Sequence, residues 1–139
     1  MKPLDEILDG INARIAAACR KVGRDPAEVE IIAVTKTHGA DVVREAWESG
    51  LGIVGENKVQ EAAWKQPMSV SGPEWHLIGH LQSNKVKYII DKVDLIHSVD
   101  SLKLAYEISK RAVAINKIQE ILVEINVGDE NSKGGVSYD

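Results

Sequence analysis

An alternation constrains this chain more than any other feature. Short apolar runs recur at residues 31–34, 52–55, 75–79, 95–99 and 120–127. Between them lie stretches with helical spacing, over 40–49, 58–65, 83–90 and 101–115, after an amphipathic segment at 4–22. The first run, Ile31-Ile32-Ala33-Val34, is β-branched and short enough to read as a fully buried parallel strand. Strand and helix taking turns in this way implies a parallel sheet with right-handed crossovers. An open doubly wound sheet and a (β/α)8 barrel both satisfy the pattern. Neither G-x-G-x-x-G nor G-x-x-x-x-G-K-[ST] follows a strand, which argues against an ordinary nucleotide fold.

Local signals support the segmentation. Leu4, Ile7, Leu8, Ile11, Ile15, Ala18, Cys19 and Val22 share one helical stripe, and Gly23 stands where a left-handed cap residue belongs. Asp25-Pro26 opens a turn into the first strand, and Ser101 is placed to cap the helix over 101–115. Residues 66–74 and 128–135 read as loops.

A chain of 139 residues is long enough for one domain with a real core. Its net charge of −4 comes from interspersed charges of both signs, and it has no Phe. A broad nucleic-acid surface is therefore not expected. Nor is a membrane helix, because no stretch approaches the ~18 apolar residues one needs. Cys19 is the single cysteine, so no intramolecular disulfide can form. A reducing, cytoplasmic setting with Cys19 as a packing residue is the natural expectation.

Polar residues gather just past each strand: Lys36 and His38, then Glu56 and Asn57, then His80, Gln82 and Asn84, then His97, Ser98 and Asp100, then Asn126. In a parallel barrel these positions share one rim, the rim where ligands sit. Lys36 has two readings there. It is an ordinary strand-end lysine with its ammonium in water, or it is partly desolvated, its pKa lowered, and a nucleophile toward aldehydes that forms a Schiff base. His76 and His80 are four residues apart, but on a strand that spacing separates them by about 13 Å. A hydrogen-bonded structural histidine is expected at 76, not a metal ligand. Lys85, Lys87, Lys103, Lys110, Arg111 and Lys117 read mostly as solvated helix charges.

Several of these stretches, taken in order, resemble one family. They are Ala33-Val34-Thr35-Lys36-Thr37, Gly55-Glu56-Asn57-Lys58-Val59-Gln60-Glu61, the block from His76 to Lys85, His97-Ser98-Val99-Asp100-Ser101, and Asn126-Val127-Gly128 with Ser132-Lys133-Gly134-Gly135. The chain resembles the pyridoxal phosphate homeostasis proteins, whose barrel is similar to the N-terminal domain of alanine racemase. The His76–Lys85 block is the most specific piece. The resemblance implies an incomplete (β/α)8 TIM-type barrel of about five parallel strands with an extra N-terminal helix. It implies that residues 1–139 are the N-terminal portion of a single pyridoxal-phosphate-binding domain, since a whole barrel takes roughly 250 residues.

For the site, the resemblance implies that Lys36 holds pyridoxal 5′-phosphate as a Schiff base. It places Asn57 near the cofactor's phenolic edge, and makes His80, Gln82 and Asn84 part of the wall. The family's phosphate cradle and its pyridine-nitrogen partner belong to a C-terminal part beyond residue 139. The implied role is non-catalytic: binding and buffering the cofactor inside the cell. Lys133, an amine expected on the same rim, is a candidate for handing it to apo forms of pyridoxal-phosphate enzymes. An amino-acid racemase and a ligand-free barrel fragment are the alternatives. A racemase needs a second acid–base group on the cofactor's far face, and Tyr138 is not a convincing one. Five strands leave two open edges, so a homodimer through those edges is expected.

Overall fold

The computed structural model describes residues 3–128 and 130–137. Helix α1 (Leu4–Val22) comes first and ends at Gly23, whose φ of 68° is the left-handed conformation that spares a glycine the Cβ clash. Asp25 then accepts the Ala27 N–H and caps a short 3-10 turn, Pro26–Glu28. Five strands follow: β1 (Ile32–Val34), β2 (Ile53–Glu56), β3 (Glu74–Leu77), β4 (Leu95–Val99) and β5 (Glu120–Val123). Helices α2 (Ala40–Glu48), α3 (Val59–Met68) and α4 (Leu102–Ala114) connect them, with the 3-10 helix Ser83–Tyr88 between β3 and β4.

The five strands are all parallel and lie in the order β1-β2-β3-β4-β5. That order decides between the two architectures. A doubly wound sheet reverses direction at a switch point. Here each right-handed crossover adds the next strand on the same side, so the helices cover one face and the sheet is a sector of a (β/α)8 barrel.

The core lies between sheet and helices. Val54, Leu77 and Ile96 of the strands are fully buried against Val43, Val86, Val93 and Leu104. Strand side chains alternate between the two faces. The even partners Val54, Glu56 and Ile96 therefore face the helices, and the residues between them face the barrel's concave side. Gly55 shows how tight that side is: a Cβ there would stand 2.9 Å from Ile32 Cγ2 and 3.2 Å from Ile78 Cδ1.

Three expectations need correction. The 83–90 segment is a 3-10 helix that ends at Tyr88. The last strand is half the expected length, with a single bridge beyond it from Ile125 to Val136. The first strand is not fully buried, because β1 is a sheet edge and Val34, on the concave side, is 48% exposed. The expected caps at Gly23 and Ser101 are present, the Ser101 hydroxyl accepting the Leu104 N–H. Cys19 is buried in the α1 stripe.

Candidate functional site

The carboxyl ends of β1 and β2 are joined by a buried charge cluster. Thr35 extends the ladder, donating its N–H to the Gly55 carbonyl at 3.2 Å. Its hydroxyl donates to Glu56 Oε1 at 2.6 Å. Lys65, on the inner stripe of α3 with Val59 and Ala62, has no exposed surface. Its ammonium donates to the same Glu56 oxygen at 2.6 Å and to the Thr35 carbonyl at 2.9 Å. Glu61, one turn earlier on α3, lies 3.7 Å from that ammonium.

These contacts fix the loop that carries Lys36. The Thr35 carbonyl also accepts the His38 N–H at 3.2 Å, closing a four-residue turn with Lys36 and Thr37 at its centre. Thr37 has φ 67°, a left-handed conformation that is rare for a β-branched residue. Its N–H is donated to Glu61 Oε2 at 2.8 Å. That donated hydrogen bond holds the Glu61 carboxyl below the usual carboxylate range; partial burial works against the shift and Lys65 reinforces it.

Thr35 and Glu56 point to the helix layer, and Lys36 and Asn57 follow just past the carboxyl ends of β1 and β2. Lys36 is exposed, not enclosed by apolar surface, because it leaves an edge strand. Asn57 is half-buried, and a Cβ on Gly79 would collide with its backbone. The chain leaving β2 thus presses directly on the chain leaving β3. A recess of about 140 Å³ lies there, lined by Asn57, Lys58, His80, Gln82 and Lys85 among others.

The structure brings Asn57, His80 and Gln82 together at that recess. Asn84 is exposed on the 3-10 helix and does not line it. His80 Nδ1 stands 3.6 Å from Asp100 Oδ2 beyond β4. A Cβ on Gly134 would come within 3.7 Å of the same Asp100 oxygen, so the loop bearing Lys133 reaches the same rim. Lys133 itself is exposed, 3.8 Å from Glu130. Tyr138 lies outside the described residues.

Deeper in the concave side, His76 Nε2 lies 2.9 Å from Glu74 Oε1, and His76 Nδ1 lies 2.9 Å from His97 Nε2. A carboxylate only accepts, so in the tautomer with its proton on Nε2 His76 donates to Glu74 and accepts the His97 Nε2–H at Nδ1. Burial pushes the His97 pKa below its ordinary 6.5, and His76 adds to the effect. His76 is thus a hydrogen-bonded structural residue. Ser98 donates to the Gly79 carbonyl at 2.6 Å and ties β4 to the end of β3. Lys117 is no solvated helix charge: it donates to the Ile90 carbonyl at 2.8 Å and to that of Val93.

Comparison with known proteins adds a family to this geometry. The profile of the alanine racemase N-terminal domain family matches residues 8–139. The chain is 46% identical over 132 residues to the pyridoxal phosphate homeostasis protein of Aquifex aeolicus, covering 94% of this chain and 58% of that protein. It is 37% identical over 140 residues to the protein of that name from Escherichia coli K12, covering 98% and 60%. Among solved structures it is similar to PipY of Synechococcus elongatus PCC7942 with PLP bound, at a TM-score of 0.71 and 35% identity, covering 89% of this chain and 57% of that one. The chain therefore spans about three-fifths of the length of these relatives.

Proposed function

The chain belongs to the alanine racemase N-terminal domain family, and from that premise we propose that it is the N-terminal part of a pyridoxal 5′-phosphate-binding barrel domain with a non-catalytic role in cofactor homeostasis. One observation carries the reading. Lys36 follows the carboxyl end of β1, at the same end of the sheet as the polar recess lined by Asn57, His80 and Gln82.

The residues present suit the cofactor's chemistry. It is an anionic aldehyde with a phenolic hydroxyl, and when bound it supplies the carbon that a lysine amine attacks. The Lys36 amine is free of any ion pair among the described residues and is open to solvent. Asn57 offers an amide to a hydroxyl. Lys58 and Lys85 bring positive charge to the recess, and His80 and Gln82 bring polar edges.

A carrier needs an amine that the free cofactor can reach, and Lys36 is exposed. On this reading Lys133, exposed on the loop that reaches the same rim, passes the cofactor to apo forms of pyridoxal-phosphate enzymes in the cytoplasm. No helix among the described residues is long and apolar enough to cross a membrane. The open edges β1 and β5 pair with a second copy to give a homodimer.

Borohydride reduction after addition of pyridoxal phosphate, followed by peptide mass spectrometry, tests the anchor. One pyridoxyl adduct is expected at Lys36 and its loss from that peptide in Lys36→Ala. A wild-type chain that stays unlabelled at Lys36 overturns the proposal. In the same system, Lys133→Ala is expected to slow transfer to an apo-enzyme; an unchanged rate removes Lys133 from the mechanism.

A further inference from the structure

We infer that Glu61 is a positioning residue for Lys36: its carboxylate holds the Lys36–Thr37 peptide in one orientation and so sets the direction in which the Lys36 side chain leaves the turn. The inference rests on the reading of Lys36 as the cofactor lysine, but the geometry behind it is independent of any ligand.

Thr35 to His38 form a turn closed by the His38 N–H and the Thr35 carbonyl. Lys36 and Thr37 occupy its two central positions. A positive φ at the second of them is the mark of a type II turn, where Gly or Asn is normal. Thr has neither the freedom of Gly nor the local hydrogen bonding of Asn, so it would favour the type I arrangement, with negative φ. The two types differ by a flip of the peptide between the central residues. That peptide is the one whose N–H Glu61 accepts, at 2.8 Å.

A flip would turn the Lys36 carbonyl, not the Thr37 N–H, toward the Glu61 carboxylate, and two acceptors would then face each other. Glu61 therefore excludes the conformer that Thr37 would otherwise take. Its own position is set from below by the buried Lys65 ammonium, which also holds the Thr35 carbonyl at the start of the turn. Both neighbours of Lys36 are thus tied to α3, the helix that also begins at the recess. A pre-set loop spares the cost of ordering an exposed lysine when it meets an aldehyde.

Glu61 is suitable for substitution because its side chain is partly exposed and Lys65 keeps Glu56 as a partner. In Glu61→Leu the Thr37 acceptor is gone, whereas Glu61→Gln keeps an acceptor oxygen without the charge. Two readings are taken on folded protein, checked by circular dichroism: hydrogen exchange at the Thr37 amide, and the equilibrium constant for borohydride-trappable pyridoxal phosphate at Lys36. Glu61→Leu is expected to raise the first and lower the second, each by roughly tenfold, the worth of one hydrogen bond to a charged group. Glu61→Gln is expected to restore most of both. Wild-type adduct formation in Glu61→Leu overturns the inference alone, whether or not Thr37 exchange changes. If wild type forms no adduct at Lys36, the reading of the lysine and this inference fall together.

Discussion

At the foot of the Lys36 turn, one ammonium is surrounded by a carboxylate, a carbonyl and a second carboxylate, with no water-exposed surface of its own. Replacing Lys65 by Met keeps the volume of the stem but leaves Glu56 a buried charge without its counter-ion. Loss of one partner of a buried pair costs about 3–5 kcal/mol. Lys65→Met is expected to lose that much in urea unfolding, and Lys65→Met combined with Glu56→Leu to regain a large part of it, since an apolar pair needs no compensation. A single variant within 1 kcal/mol of wild type would mean that the ammonium is not essential to the cluster. The pair was not anticipated, and Glu56, expected on the open rim, is instead buried against α3. Glu56 falls in phase with Val54 on a strand, and Lys65 in phase with Val59 and Ala62 on a helix, so opposite charges occupy two apolar phases. What no pattern disclosed was that they meet, or that Glu61 reaches the Thr37 N–H. Thr37 is not glycine, and nothing local to it announces a left-handed residue.

Strand phase accounts for most of what the elements do. The runs ending at Val34, Gly55 and Val99 were readable because β-branched and apolar residues crowd them, and Ser101 and Gly23 punctuated the helices by the hydrogen bonds and dihedral they provide. The 83–90 segment misled because its apolar residues fit a helical stripe, while the tighter 3-10 geometry of Ser83–Tyr88 depends on the surface it packs against. Between β3 and β4 the concave residues form the Glu74–His76–His97 chain. Folding depresses the His97 pKa below 6.5, so in acid the unfolded chain binds the extra proton. Stability is therefore complete above about pH 6.5 and falls as pH drops from there toward the folded value. The carboxylates whose pKa values folding lowers, at Glu61, Asp91 and Glu107, act only below their ordinary values of 4.5, 3.8 and 4.5, and so leave this window clear. His97→Gln keeps an N–H for His76 Nδ1 but does not titrate. Urea midpoints measured between pH 7.5 and 5.5 are expected to fall more for wild type than for His97→Gln; parallel profiles would assign the loss to other groups.

For the molecule as a whole, alternation of strand and helix was plain from the sequence, but the choice between an open sheet and a barrel was not. It depends on strand order, and strand order is decided by which face each helix covers, a property of several elements at once. The sequential order found here puts the connecting helices on one side, and the consequence lies on the other side. Val34 of β1 and Leu122 of β5 are 48% and 49% exposed, and both belong to strands with one unpaired edge. An open parallel edge offers a row of N–H and carbonyl groups to any strand that can align with it, and apolar neighbours make the union favourable in water. The proposed homodimer covers those features together, which no helix among the described residues does. Light scattering is expected to return twice the 15.2 kDa chain mass, in a concentration-dependent manner. Charges on edge strands are the device by which sheets resist such pairing, so Leu122→Lys and Val34→Lys are each expected to shift the equilibrium toward monomer while leaving the helix-covered core intact. A wild-type chain that scatters as a monomer at every concentration would show that the edges are tolerated unpaired, and the dimer would have to be abandoned while the Lys36 anchor stood on its own test.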